Sequence, residues 1–288
     1  MTTAAGVIPD VGDWHGRSRL HPYFVCDVFT SRPLQGNQLG VFVDGRPFSA
    51  DEMQRVAREL NLAETVFLLP PTRCGDVRAR IFTPRLELPF AGHPVLGTAF
   101  VVGAATGGDG VTVEVEAGLV PVKFERDGDR IVRGRMQQPV PVPEPFEHEH
   151  ALLEALGVAS SRLPVEVYRH GPQHVYVALG GDEDVAALEP DLGALTSLNV
   201  AANCFAGSGR SWKTRMFYPA AGVPEDAATG SAAGSLAVHL VRHGEIACGE
   251  EIEIRQGAEI GRPSMLYATV TGAADRIETV EVGGTATS

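Results

Sequence analysis

The chain has 288 residues, of which 44% are hydrophobic, and a formal net charge of −12 at pH 7. This is enough apolar material for one large domain or two of ordinary size, and the sequence contains no run of about 18 apolar residues that would span a membrane. The acidic balance argues against nucleic acids and anionic membranes as partners, because both are bound through a positive field.

The predicted elements alternate between extended, β-rich runs and a few helical stretches. The clearest extended runs are Tyr23 to Phe29, Gly40 to Val43, Val77 to Phe82 and Val111 to Val115. After the second of these, Ser49 and Glu52 form an S-x-x-E capping box, which predicts a helix from about residue 50 to 60. The alternation is typical of an α/β or α+β fold.

Two further helices are predicted from the residues at their ends. One begins near His93, where Pro94 occupies the first turn. The other begins near Ser231, continues through SLAVHLVRH and ends at Gly244.

The sequence also matches itself at displacements of 135 and 138 residues. The four matched pairs, in the same order in both copies, are GNQLGVFV with GPQHVYVA, LNLAETVF with LNVAANCF, RIFTP with RMFYP, and Gly92 with Gly230. We therefore predict two similar halves, at residues 19–137 and 138–288. Ligand sites favour clefts between such units, so equivalent loops from both halves are expected to line one cleft.

Glu64 breaks this repeat, because its counterpart at a displacement of 138 is Ala202. It lies where the chain leaves the first helix, directly before the apolar run TVFLL. Desolvation in a dry cleft raises the pKa of a carboxyl group, which suits general acid/base catalysis near neutral pH. The alternative is a solvated residue at a helix end, since glutamate is rarely buried.

Two segments rich in small residues, ELPFAGHPVLGTA and PEDAATGSAAGSLA, each open a predicted helix. The first contains Gly92 and His93, and the second contains Gly230 and Ser231, with Asp226 just upstream. Two helix N-termini that face one cleft would hold an anionic substrate from both sides. The alternatives are close helix packing for the small residues, a structural hydrogen-bonded role for His93 and a helix cap for Asp226.

The sequence gives no sign of a cofactor. The four cysteines, at positions 26, 74, 204 and 248, form no CxxC pair, and no nucleotide-binding glycine motif occurs. We predict reduced thiols and side-chain chemistry without metal or cofactor. The first twenty residues lack the basic start and apolar centre of a secretory signal, so we predict a cytoplasmic protein with a loose extension at residues 1–18.

The same motifs resemble a known family. From about His21 to about Val282, the chain is similar to the PhzF family of phenazine biosynthesis, through MQRVARELNLAETVF, RIFTPRLELPFAGHPVLGTA, GPQHVYV, NCFAGSGR and EDAATGSAAGSLAVHLVRHG. The resemblance implies an α+β, diaminopimelate-epimerase-like fold of two pseudo-symmetric halves, each a curved, mainly antiparallel sheet around a central helix. It also implies a homodimer with an active site between the halves of each chain.

The resemblance further implies a cofactor-independent isomerase. Its small cyclic amino-carboxylate substrate would be trans-2,3-dihydro-3-hydroxyanthranilate, converted to 6-amino-5-oxocyclohex-2-ene-1-carboxylate. The matching motif positions give the catalytic residues Glu64, as acid/base, His93 and Asp226, and the substrate-binding residues Ala63, Gly92, Gly230 and Ser231.

Two departures from the family pattern carry expectations of their own. Relatives commonly have GNP where this chain has Gly36, Asn37 and Gln38, which predicts a loop of different shape near the cleft. The sequence ends VEVGGTATS, whereas relatives usually continue through a final glycine-flanked strand. Loss of that strand would expose a sheet edge and affect stability more than chemistry.

Three other functions stay open from the residues alone. A cofactor-independent racemase or epimerase would need two opposed bases, typically cysteines, and the glycine loops at 89–94 and 227–231 contain none. A PhzF-like isomerase of another cyclic acid is compatible with the same motifs, since fold does not fix substrate. A catalytically silent binding protein would have had no need to retain Glu64, His93 and Asp226 together.

Overall fold

The computed structural model describes residues 21–169 and 173–287, so the predicted extension at residues 1–18 lies outside the described residues. In chain order the strands are β1 (Tyr23–Val28), β2 (Asn37–Phe42), β3 (Glu64–Leu69), β4 (Val77–Phe82), β5 (Glu87–Leu88), β6 (Gly110–Val115), β7 (Gly118–Asp127), β8 (Arg130–Gln138), β9 (Val142–Pro145), β10 (Glu166–Arg169), β11 (Gln173–Ala178), β12 (Ala201–Ser208), β13 (Ser211–Tyr218), β14 (Val223–Asp226), β15 (Glu251–Gln256), β16 (Ser264–Ala273), β17 (Arg276–Gly284) and β18 (Ala286–Thr287). The helices are α1 (Ala50–Leu60), α2 (Gly92–Thr106), α3 (Glu149–Leu156), α4 (Asp182–Ala186), α5 (Leu192–Leu198) and α6 (Gly230–Arg242).

The three predicted helices are confirmed, together with the local chemistry that bounds them. At the start of α1, the Glu52 carboxylate accepts a hydrogen bond from the backbone N–H of Ser49 at 2.8 Å, and the Ser49 hydroxyl accepts one from the backbone of Glu52. Helix α6 ends just before Gly244, whose φ of +74° lies in the left-handed region that glycine tolerates.

The strand pairings repeat once along the chain. Strand β1 is antiparallel to β2, β2 is parallel to β3, and β3 is antiparallel to β4, which also pairs in parallel with β6. The same relations hold for β10, β11, β12, β13 and β15 in the second copy. The hairpins β6–β7–β8 and β15–β16–β17 complete each copy, and β8 pairs with β17. The predicted α+β class with two equivalent halves is confirmed, while the boundary at residues 137 and 138 stays a prediction.

A central helix occupies the middle of each half. Helix α2 is apolar around most of its circumference, and in α6 every residue from Gly230 to Val241 is buried. A helix buried on all sides needs apolar partners on all sides, and one core cluster contains residues of both helices and of the strands around them. Among the described residues, no helix is long and apolar enough to cross a membrane.

Strand register identifies which residues of the two halves are equivalent. Leu39 of β2 lies opposite Glu64 of β3, and His174 of β11 lies opposite Ala201 of β12. The counterpart of Glu64 is therefore Ala201, and the expectation of Ala202 was wrong by one residue.

The one-residue shift arises between helix and strand. Asn61 after α1 and Asn199 after α5 both adopt the left-handed conformation, with φ of 50° and 52°. Strand β3 begins three residues after Asn61, whereas β12 begins two residues after Asn199. The second half thus has a connection that is one residue shorter, which a fixed displacement of 138 does not detect.

The end of the chain corrects a further expectation. The last described residues form β18, which pairs with Asp27 and Val28 of β1, and the backbone N–H of Phe29 donates to the carbonyl of Thr285 at 2.7 Å. The predicted exposed edge is therefore absent from this end of β1, among the residues that the structure describes.

Candidate active site

A cavity of about 440 Å³ lies where the two halves meet. All seven residues predicted from the sequence line it, namely Ala63, Glu64, Gly92, His93, Asp226, Gly230 and Ser231. Apolar side chains of Leu86, Leu88, Phe90, Met216 and Val223 form much of the remaining wall. Such walls exclude water and strengthen electrostatic interactions among the polar groups inside.

Glu64 and His93 form the polar centre of the first half. Glu64 is the first residue of β3 and His93 the second residue of α2, with side chains only 14% and 6% exposed. Glu64 Oε2 lies 2.9 Å from His93 Nε2. Neither atom meets hydrogen-bond geometry with any other described group, so this ion-pair contact is the main polar interaction of both. The carboxylate is thus largely desolvated, at the wall of the cavity.

Asp226 approaches this pair from the second half, at the end of β14. Its Oδ2 accepts a hydrogen bond from the Thr229 hydroxyl at 2.6 Å, and its Oδ1 accepts one from the Asn37 amide at 2.8 Å. The same amide nitrogen donates to the carbonyl of Ala228 at 2.9 Å and lies 3.3 Å from His93 Nδ1. Asn37 therefore holds the acidic loop of one half against the histidine of the other.

Burial and mutual charge set the protonation of this cluster. Burial raises the pKa of Asp226 to about 6, and the Glu64 charge adds to that effect, although the His93 charge opposes it. Burial works against a charged imidazole, but the negative charges of Glu64 and Asp226 outweigh it and hold the pKa of His93 above its ordinary value. Asp226 can therefore take up or release a proton close to neutral pH.

The N-termini of the two central helices meet at the floor of the cavity. The residues that precede them, Ala91 and Thr229, make no side-chain hydrogen bond to the first turn of either helix. A Cβ atom on Gly92 would lie only 3.2 Å from the backbone nitrogen of Ser231, so the close approach of the helices needs glycine there. The first turns of both helices thus lie beside the cavity, where their leading N–H groups can bind an anion.

Sequence reasoning missed two polar residues of the site. Asn37 lies in the GNQ segment, which was expected only to alter the shape of a loop, but it starts β2 and is buried. His174 of β11 also lines the cavity, and its Nε2 lies 2.9 Å from the Ser231 hydroxyl. The signal for Asn37 was its place in the segment that departs from the family pattern. His174, like Glu64, breaks the repeat, because its counterpart at a displacement of 135 is the apolar Leu39, and this asymmetry could have identified it.

A second polar cluster lies at the other end of α6. Glu166 Oε2 accepts a hydrogen bond from the Tyr168 hydroxyl at 2.8 Å and lies 3.0 Å from His243 Nε2 and 3.3 Å from His239 Nδ1. Glu166, His239 and His243 are of types that bind metals, and their polar atoms lie within 4.8 Å of one another. Against the effect of burial, these hydrogen bonds and the Arg242 guanidinium, 3.2 Å from Glu166 Oε1, lower the pKa of Glu166 to about 2. The absence of a metal requirement stays a prediction.

Comparison with known proteins adds independent information. A family model described as "Phenazine biosynthesis-like protein" matches residues 26–288. Over 92% of its length, the chain is 53% identical to a Pseudomonas aeruginosa protein and 51% identical to a Pseudomonas chlororaphis protein, in each case covering 96% of the relative. Both relatives are named trans-2,3-dihydro-3-hydroxyanthranilate isomerase.

The fold is similar to that of a solved structure as well. The crystal structure of a PhzF-family phenazine biosynthesis protein from Bacillus anthracis matches with a TM-score of 0.82, over 92% of this chain and 95% of that one. The two sequences are 24% identical, so this likeness concerns the fold.

Proposed function

The chain belongs to the phenazine biosynthesis-like (PhzF) family, and we propose that it isomerises trans-2,3-dihydro-3-hydroxyanthranilate with Glu64 as the acid/base. The substrate assignment is supported by the identity of about half of all residues with enzymes of that name. The single observation that carries the assignment of the base is the asymmetry of the cavity, where Glu64 faces the ligand space and its counterpart is Ala201.

One base is enough for the reaction. Glu64 removes the proton from C3, which the conjugated diene acidifies, and the electron pair of the C3–H bond shifts through the ring. The same carboxylic acid then delivers the proton to C1, which forms the new C–H bond on the same face. The resulting enol becomes the ketone of the product. The step is redox-neutral, so it needs no oxidant, reductant or co-reactant.

His93 and Asp226 assist without acting as the base. The His93 charge, 2.9 Å from Glu64, favours the ionised form of Glu64 that begins the cycle. When Glu64 takes up the substrate proton, this attraction is lost. Asp226, held by Thr229 and Asn37, has an orientation suited to accept a hydrogen bond from the substrate amine or hydroxyl. Together they fix the ring so that C3 and C1 lie within reach of one carboxylate.

The substrate carboxylate is bound between the helix ends. The backbone N–H groups of Gly92, His93, Gly230 and Ser231, with the Ser231 hydroxyl, supply hydrogen-bond donors on one side of the cavity. The apolar wall around the ring keeps water from exchanging the proton held by Glu64 between its removal and its return.

The rival functions fit the cavity less well. A racemase or epimerase needs a second base on the opposite face of the substrate, and no cysteine of the described residues lines the cavity. Isomerisation of a different cyclic acid and a silent binding role predict binding of this substrate without turnover. The homodimer and the cytoplasmic location stay predictions.

The test is conversion of the substrate by the purified protein, followed as loss of its diene absorbance and appearance of the ketone. We expect rapid conversion by the wild type and a loss of at least about 10³-fold in kcat for Glu64→Gln, because general acid/base catalysis has no substitute in the second half. Glu59→Gln, at an exposed position on α1, is the matched control and should retain full activity. Binding of the compound by the wild type without conversion would refute the assigned substrate.

A further inference from the structure

In the second half, His174 contacts the second residue of the central helix, just as Glu64 contacts His93 in the first half. His174 is 1% exposed on β11, and its Nε2 lies 2.9 Å from Ser231 Oγ. Both residues line the cavity. The Ser231 hydroxyl, which is proposed to bind the substrate carboxylate, therefore lies at hydrogen-bond distance from a buried histidine.

Asn203 of β12 determines which nitrogen of His174 carries the proton. Its amide nitrogen donates to the carbonyl of Ala201 at 2.8 Å and lies 3.4 Å from the carbonyl of Val175. A rotated amide would turn its oxygen toward these two carbonyl oxygens, so the NH₂ group must face them. The same NH₂ group lies 3.3 Å from His174 Nδ1, which makes that ring nitrogen an acceptor. In the neutral imidazole the proton then lies on Nε2.

The tautomer decides the direction of the next hydrogen bond. Nε2–H of His174 donates to Ser231 Oγ, so the hydroxyl accepts from the histidine and must donate its own proton elsewhere. Within the described residues, Ser231 Oγ has no other hydrogen-bond partner, and its open side is the cavity. A hydroxyl that only donates into the cavity matches a carboxylate, which only accepts.

We propose that His174 and Asn203 are positioning residues that make Ser231 a hydrogen-bond donor to the carboxylate of the substrate. The proposal deepens the proposed function, on which it rests for the identity of the ligand. It also accounts for the departure from symmetry at this position. The first half has Leu39 where the second half has His174, and the second residue of its central helix is His93, so it has no serine to orient.

The experiment measures binding, so it does not depend on turnover. The probes are 3-hydroxyanthranilate, the aromatic analogue of the proposed substrate, and 2-aminophenol, which is the same molecule without its carboxylate, and their affinities are compared by calorimetry. For His174→Leu, which introduces the residue of the first half, we expect affinity for 3-hydroxyanthranilate to fall roughly tenfold, the value of one hydrogen bond to a charged group. Affinity for 2-aminophenol should not change.

Three further variants separate positioning from a general structural effect. His174→Gln retains an N–H that reaches Ser231 and should restore most of the lost affinity. Ser231→Ala should lose at least as much as His174→Leu, and the double variant should lose no more than Ser231→Ala alone. In turnover of the substrate, His174→Leu should raise KM with little change in kcat.

Two results would overturn the proposal. One is an equal loss of affinity for both probes in His174→Leu, and the other is a further loss when His174→Leu is added to Ser231→Ala. Failure of the wild type to convert the substrate while the probe pattern holds would refute the proposed function alone. Thermal unfolding of each variant identifies any that does not fold, in which case His174→Gln against the wild type supplies the comparison.

Discussion

The two halves of the molecule have the same framework and different chemistry. In the first half Arg80 forms an ion pair with Glu87 at 2.7 Å, and in the second half Arg215 forms one with Glu225, also at 2.7 Å. Each arginine also lies over the phenylalanine two residues later in its strand, at 5.2 and 4.9 Å from the ring centroid. The arginine–glutamate ion pairs and arginine–phenylalanine contacts that stabilise the sheet are thus present in both halves.

The cavity residues, by contrast, occur once. Register places Asp226 of β14 opposite Met216, where the first half has Leu88 opposite Ile81. Glu64 likewise has Ala201 as its equivalent. Each half therefore contributes an acid where the other has an apolar residue. A duplicated fold can build one asymmetric site because its strand ends tolerate either kind of side chain without changing the pairing.

After loss of Glu64, the largest effect on activity is expected when Asp226 is replaced by leucine, the residue at the equivalent position of the first half. Asp226→Leu should lower kcat/KM by about 10²-fold or more, because the ring loses a positioned acceptor and the Asn37 amide loses its carboxylate partner. The measurement is steady-state turnover of trans-2,3-dihydro-3-hydroxyanthranilate. Asp184→Leu, in α4 and away from the cavity, is the control. Unchanged kcat/KM in Asp226→Leu would contradict the claim that each half contributes one functional acid to the site.

The duplicated ion pairs should differ in their contribution to stability, because they differ in exposure. The side chains of Arg215 and Glu225 are 9% and 11% exposed, against 23% and 33% for Arg80 and Glu87. Glu225→Gln should lower the free energy of unfolding by about 3 kcal/mol, since it leaves a buried guanidinium without its anion. Glu87→Gln should cost less than about 1 kcal/mol. Urea unfolding of both variants makes the comparison, and equal losses would contradict it.

The smallest effect concerns pH. Because the folded-state pKa of Asp226 is about 6, turnover should fall on the acid side of pH 6 as the carboxyl group gains a proton and ceases to accept. This acidic decrease in the pH–rate profile should be absent from the residual activity of Asp226→Asn. A limb of the same midpoint in both proteins would assign the ionisation to another group.

The same shift has a consequence for stability, whose sign is opposite to that of an ordinary salt-bridged acid. The pKa of Asp226 is raised above the 3.8 of an ordinary aspartate, so its proton favours folding at acidic pH, and this contribution is lost as the pH rises through about 6. Between pH 4.5 and pH 7.5, the free energy of unfolding of the wild type should therefore fall relative to that of Asp226→Asn.

Much of the fold could be predicted from the sequence because its signals are local. The capping box at Ser49, the proline after His93 and the glycine at 244 each act within a few residues of the helix end that they define. The repeat supplied long-range information that the patterns of single elements lack. It predicted that Glu64 and Asp226, although far apart in the chain, line one cavity.

The rest of the site depended on contacts that leave no local pattern. Asn37 bonds to Asp226 across 189 positions and contacts His93 across 56, so neither partner is visible from the segment itself. His174 breaks the repeat as Glu64 does, since its equivalent is the apolar Leu39, but its contact with Ser231 spans 57 positions and is not visible from the segment itself. The slip from Ala202 to Ala201 came from a loop shortened by one residue, which only strand register reveals.

The central claim is that one carboxylate, Glu64, removes a proton and returns the same proton inside a cavity with largely apolar walls. It is tested most directly by running the reaction in D₂O with protiated substrate, stopping it early and measuring deuterium at C1 of the product. We predict little deuterium at C1 in the wild type and no product from Glu64→Gln. One full deuterium at C1 would show that the delivered proton comes from solvent, and would contradict the return of a shielded proton by Glu64.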